Sequence, residues 1–128
     1  MSHPRTYSLP WEDYELIDAG GGKKLERWGK IFTIRPEVQA YFQSVEPFTE
    51  WRKKAHWEFI ETSGTKGKWK CLQPNAPNKW QIKYSKLVLN LELTNFKHLG
   101  IFPEQRTNWD WVMDSLASTD KAINLFAY

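Results

Sequence analysis

At 128 residues the chain is one domain with its own core, or one domain and the start of a second. A hydrophobic fraction of 41% with eight tryptophans argues against disorder, and the single cysteine, Cys71, excludes an internal disulfide. A formal charge of +3 permits an acidic partner such as nucleic acid without requiring one.

Read in chain order, Ser2 to Thr6 are polar, and no secretory apolar region follows Met1. No apolar run approaches the roughly 20 residues needed to span a bilayer, so the expectation is a cytoplasmic chain with no membrane segment. Tyr14 to Asp18 is short and apolar at Leu16 and Ile17, and Ala19-Gly20-Gly21-Gly22 follows. Leu25 to Trp28 and Ile31 to Arg35 flank Gly29-Lys30 and predict a hairpin, with Gly29 supplying positive φ. Pro36 bars Arg35 from helical geometry and lets a short helix begin over Glu37 to Phe42. From Phe48 to Glu61 two periods compete. Trp51, Ala55 and Phe59 fit a helical face, while Ala55, Trp57 and Phe59 fit a strand. The favoured reading is a short helix to about Lys54 and then a strand.

Ser63 to Gly67 reads as a turn, and Lys68 to Leu72 as a strand with Trp69 and Cys71 on one side. Cys71 is expected to be a small core residue. Pro74 to Asn78 is a loop. Trp80, Ile82 and Tyr84 alternate with polar residues, and Leu87, Leu89, Leu91 and Leu93 with Val88, Asn90, Glu92 and Thr94. This period of two predicts strands with the leucines in a core. Pro103 opens a longer helix at the position where its missing N–H costs nothing. Trp109, Val112, Met113 and Leu116 form its apolar face. Lys121 to Tyr128 reads as a buried strand.

Three features invite chemistry. Gly20-Gly21-Gly22-Lys23-Lys24 suggests a phosphate loop, but the Walker spacing is absent and a strand rather than a helix follows. His3, His56 and His98 are scattered and, with one cysteine, make no zinc spacing. Lys66, Lys68, Lys70, Lys79, Lys83 and Lys86 interleave with Trp69, Trp80 and Tyr84. Basic residues among aromatics can follow phosphates and stack bases. The same alternation describes two amphipathic strands with lysines outward and aromatics inward, and that reading comes first. Asp18 and Glu26 form no recognisable acid–base pair.

The segment Phe96-Lys97-His98-Leu99-Gly100-Ile101-Phe102-Pro103-Glu104-Gln105-Arg106-Thr107-Asn108-Trp109-Asp110-Trp111, and Ile123-Asn124-Leu125-Phe126-Ala127-Tyr128 further on, resemble a family of class I S-adenosylmethionine-dependent methyltransferases. The family is that related to the bacterial 23S ribosomal RNA cytosine-5 methyltransferases. Upstream, Tyr14-Glu15-Leu16-Ile17-Asp18-Ala19-Gly20-Gly21-Gly22-Lys23-Lys24-Leu25-Glu26-Arg27-Trp28-Gly29 also resembles it, particularly its members without an N-terminal RNA-binding PUA domain. The resemblance spans residues 14–128 and implies an α+β fold. A small strand–strand–helix–strand–strand domain with antiparallel hairpins occupies residues 1–95. The resemblance implies that residues 96–128 are a helix and the first strand of a Rossmann-like methyltransferase domain, cut at its first cofactor-binding motif. In such domains the cofactor lies at the carboxyl ends of the strands, against the Gly-rich turn after the first.

The resemblance implies that Lys97, Gly100, Gln105, Asn108, Phe126 and Tyr128 line the S-adenosylmethionine site of an intact parent enzyme. No catalytic residue is assigned, because the family's catalytic cysteine lies downstream and Cys71 does not match it. The expectation is an inactive N-terminal fragment that binds no cofactor itself. The parent is expected to methylate an RNA base. Lys68, Lys70 and Lys83 are the candidate, weak nucleic-acid contacts, and no metal is expected. The absent partner is the C-terminal methyltransferase domain, and residues 103–128 are expected to pair two copies. The rival readings are a self-sufficient nucleic-acid-binding or protein-interaction module without enzymatic activity, and a methyltransferase parent acting on something other than RNA.

Overall fold

A computed structural model describes residues 11–64, 66–85, 87–99 and 103. Five strands form one sheet in chain order: β1 (Tyr14–Gly20), β2 (Lys23–Trp28), β3 (Ile31–Pro36), β4 (Trp57–Ser63) and β5 (Lys66–Cys71). Neighbours are antiparallel except β3 and β4. These two run parallel over only two residue pairs, Thr33 with Trp57 and Ile34 with Glu58. A parallel step needs a crossover, and α1 (Phe48–Lys54) lies within it. Strands β6 (Lys79–Tyr84) and β7 (Leu87–Glu92) make a separate two-stranded sheet. The architecture is mixed α+β, mostly strand.

Local chemistry explains the elements. Gly29 has φ +67 at the first of two loop positions between Trp28 and Ile31, where a tight hairpin turn favours glycine. Helix α1 starts after Pro47, carries Glu50 in its first turn, and places Arg52, Lys53 and Lys54 in its last, matching the helix dipole at both ends. Ala55 ends it in extended geometry, so the helix-then-strand reading of this stretch holds.

Strand alternation sorts the core into two clusters. Leu25 and Ile34 lie opposite each other and pack with Trp51 and Ala55, on the face that carries α1. Trp28 occupies the other face and packs with Trp11, Ile82, Tyr84, Leu91 and Leu99. The β6–β7 hairpin therefore covers the face opposite the helix, giving three layers. Burial of the leucine row fades toward the hairpin turn: Leu91 is buried, Leu89 half-buried and Leu87, at the turn, exposed.

Three expectations are corrected. Glu37 to Phe42 is not a helix. Its backbone instead bonds the β1–β2 turn: Glu37 N–H donates to Gly22 O at 2.8 Å, while Gly22 N–H and Gly21 N–H donate to Ala40 O at 2.7 Å and Phe42 O at 2.8 Å. Gly20 makes this contact possible, because a Cβ there would strike the Ser44 backbone. Three strands rather than two precede α1, since the Gly-rich stretch turns β1 back onto β2. Cys71 is exposed, not core. It is the last residue of β5, which ends the sheet order. Apart from Pro103, itself buried, the expected helix from 103 and the strand 121–128 lie outside the described residues.

Candidate functional site

The sheet face beneath the hairpin holds a buried ion pair. Glu26 alternates with Trp28 on β2, and Arg35 follows Thr33 on β3, so both charges point inward. Arg35 Nε donates to Glu26 Oε1 at 2.6 Å and Nη2 to Oε2 at 2.8 Å, a bidentate fork. Tyr14 Oη donates to Glu26 Oε2, and the Arg35 guanidinium lies 5.1 Å from the Trp28 ring centroid. Glu26 is 0% exposed and Arg35 5%. Removing two charges from water is costly, and the fork and hydroxyl offset it only because they fill the available hydrogen-bonding positions. The remaining guanidinium nitrogen, Nη1, donates to Lys97 O at 3.0 Å. The pair thus fastens to the sheet the segment that leads to Gly100.

Beside it lies an open groove of about 300 Å³, lined among others by Tyr14, Leu16, Lys24, Glu37, Gln39 and Phe42. Lys24 Nζ lies 3.2 Å from Glu37 Oε1. Burial works to raise the Glu37 pKa, but the bond and charge of Lys24 outweigh it, with Gln39 N–H and the charge of Lys97 adding to the effect, and hold it below the ordinary value. Lys97 is therefore close enough to act on the groove electrostatically.

On the opposite face, Glu58 is buried between two cations. Lys23 Nζ lies 2.9 Å from Oε2, and Arg52 Nε lies 2.9 Å from Oε1. Burial pushes the Glu58 carboxyl up, yet the Arg52 and Lys23 bonds and charges overcome this and hold it at about 2. Asp18 gathers four donors: Ala19, Val45 and Glu46 N–H and Trp51 Nε1. It ties the loop before α1 to β1.

Of the residues expected to line a cofactor site, Lys97 is the one described. It is half-buried, with its carbonyl on Arg35. Gly100, Gln105, Asn108, Phe126 and Tyr128 lie outside the described residues. Lys68, Lys70 and Lys83 are exposed, but they do not share a surface. Lys68 lies opposite Ile60 and Lys70 opposite Glu58, on the helix-bearing face. Lys83 lies opposite Val88 on the far side of the hairpin from Ile82 and Tyr84, with the whole sheet between. Among the described residues no group of three His, Cys, Asp or Glu side chains could hold a metal ion, and no helix is long and apolar enough to cross a membrane.

The crystal structure of a SAM-dependent methyltransferase from Agrobacterium tumefaciens is similar to this chain, with a TM-score of 0.77 and 30% sequence identity over 84% of the chain. The chain spans about a third of that protein, 34%. No family model and no curated protein matches the chain. The similarity supports the methyltransferase class.

Sequence reasoning gave Tyr14 and Arg35 no role and set Glu26 aside as a carboxylate without a recognisable partner. A signal was present: Glu26 shares the parity of Trp28, and Arg35 that of Ile31 and Thr33, so both fall on inward positions of the predicted hairpin. Asp18 carried no such signal, because its donors come from residues 19, 45, 46 and 51.

Proposed function

We propose that this chain is the N-terminal part of an S-adenosylmethionine-dependent methyltransferase that acts on an RNA base. The observation that carries the class is the joint likeness in fold and sequence to a SAM-dependent methyltransferase, of which the chain spans the equivalent of 34%. The RNA target, and the branch related to the 23S ribosomal RNA cytosine-5 enzymes, rest on the motifs around Gly20–Gly29 and Phe96–Gln105 and on the exposed basic strands.

In this reading residues 1–95 are an accessory domain, and residues 96–128 begin the catalytic domain. Lys97, Gly100, Gln105, Asn108, Phe126 and Tyr128 form part of the wall around the cofactor, which supplies an electrophilic methyl group. The Arg35 bond to Lys97 O, at 3.0 Å, supports this reading by fixing the first residue of that wall to the sheet. In this reading residues 1–128 alone transfer no methyl group.

The test is to read the coding sequence past Tyr128 and assay its whole product with methyl-labelled S-adenosylmethionine against RNA, DNA and protein. Label in RNA supports the proposal. Label only in protein or DNA overturns the RNA target, and a whole product that neither binds the cofactor nor transfers label overturns the class.

A further inference from the structure

Strand β5 carries lysines at alternate positions, Lys66, Lys68 and Lys70, all exposed. Alternation puts all three on one face, the face that carries α1, and successive lysines stand about 7 Å apart. A row of this kind is ordinarily neutralised by carboxylates on the neighbouring strand. Here the residues opposite are Ser63, Ile60 and Glu58. Glu58 is the single carboxylate among them, and it is already buried between Lys23 and Arg52 at 2.9 Å each. Lys66, Lys68 and Lys70 accordingly make no ion pair among the described residues. Two more cations, Lys23 and Arg52, stand beside the row and share one negative charge.

We propose that this lysine row is the surface on which the protein holds the phosphates of single-stranded RNA. The proposal rests on the RNA reading above and adds the place and the mode. Spaced point charges on a flat strand match a repeating anion and contact no base edge, so binding is sequence-tolerant and driven by counterion release. Trp69 does not stack bases, because it points to the other face, edge-on to Phe59 at 5.1 Å between centroids. Lys83 takes no part, being on the far layer.

The experiment is fluorescence anisotropy of this chain with a labelled single-stranded RNA of mixed sequence at several salt concentrations. Compared are the unaltered chain, the K68Q/K70Q variant, which keeps long side chains without charge, and K83Q. The expected salt slope is about −2 for three contacts, falling in magnitude by about 1.4 when two are removed. Affinity at low salt is expected to drop tenfold or more in K68Q/K70Q and less than twofold in K83Q, with unchanged thermal melts in both. Unaltered binding by K68Q/K70Q overturns the proposal and leaves the lysines as guards of an edge strand. So does an equal loss in K83Q, or binding insensitive to salt. Polyglutamate of equal charge binding as tightly as RNA also overturns it, in favour of an acidic protein partner. RNA methylation by the whole gene product, with normal RNA binding by K68Q/K70Q, would sink this placement alone and leave the proposed function standing.

Discussion

Single side chains here carry much of the electrostatic stability. Glu58, held at about 2, binds no proton in the folded state at pH values where the unfolded carboxyl already does. Its contribution is therefore complete above the ordinary carboxylate pKa near 4.5 and is lost as pH falls toward about 2. Glu58→Gln is expected to cost about 2–3 kcal/mol at neutral pH. In urea titrations the gap between variant and unaltered protein should close between about pH 5 and pH 2; a gap independent of pH would contradict the assignment. His56 acts in the same direction at higher pH. Its Nδ1 accepts Phe32 N–H at 3.0 Å, and burial lowers its pKa. A lowered folded pKa means that the unfolded chain takes the proton first, so stability falls as pH drops through the ordinary histidine pKa of about 6.5. Replacing His56 with Gln should flatten that part of the stability–pH curve. The Glu26–Arg35 pair obeys a different rule. Glu26→Gln or Arg35→Met alone leaves a dry, unpaired charge or donor set and is expected to cost about 3–5 kcal/mol. Glu26→Leu with Arg35→Met should recover most of it; in a double-mutant cycle with the Glu26→Leu and Arg35→Met single variants, costs that simply add in the double variant would show that packing matters more than pairing.

At the scale of elements, turns and alternation were legible and long-range ties were not. The β2–β3 hairpin follows from Gly29 between two apolar runs, and β6–β7 from a strict period of two. Gly29→Ala should cost about 1–2 kcal/mol, because φ +67 disfavours a side chain and its Cβ would stand 3.2 Å from Ile82 Cγ2. A thermal melt unchanged by that substitution would contradict the turn assignment. The helix expected over Glu37 to Phe42 failed for a reason no local window holds. Its backbone donors and acceptors are claimed by a turn some twenty residues earlier. Cys71 misled because parity gives the face of a strand, not how far the covering layer extends. The candidate surface was half legible: parity places Lys66, Lys68 and Lys70 together, but only the layering separates Lys83 from them. Glu58 could not be read as consumed until Lys23, 35 positions away, was seen beside it.

For the whole molecule, the chain spans 34% of a SAM-dependent methyltransferase similar to it, and the proposed function puts the Gly-rich turn of the cofactor pocket outside residues 1–128. Calorimetric titration of residues 1–128 with S-adenosylmethionine should show no binding. A micromolar dissociation constant, about −8 kcal/mol, would mean that the site is complete within this chain. The sheet itself has a division with consequences in time. The β1–β2–β3 meander and the β4–β5 hairpin are each built from contacts close in sequence, whereas β3 and β4 meet over two residue pairs across the whole crossover. Local pairs form in microseconds, while distant ones wait on loop closure. The meander and the hairpin should therefore be established early and the β3–β4 seam join them late. Substitutions at the seam, such as Glu58→Gln, would then speed unfolding and leave refolding almost unchanged, whereas Gly29→Ala would slow refolding. Stopped-flow measurements on the two variants would reveal the order in which the sheet is assembled, and a slowed refolding limb for Glu58→Gln would place the seam in the nucleus instead.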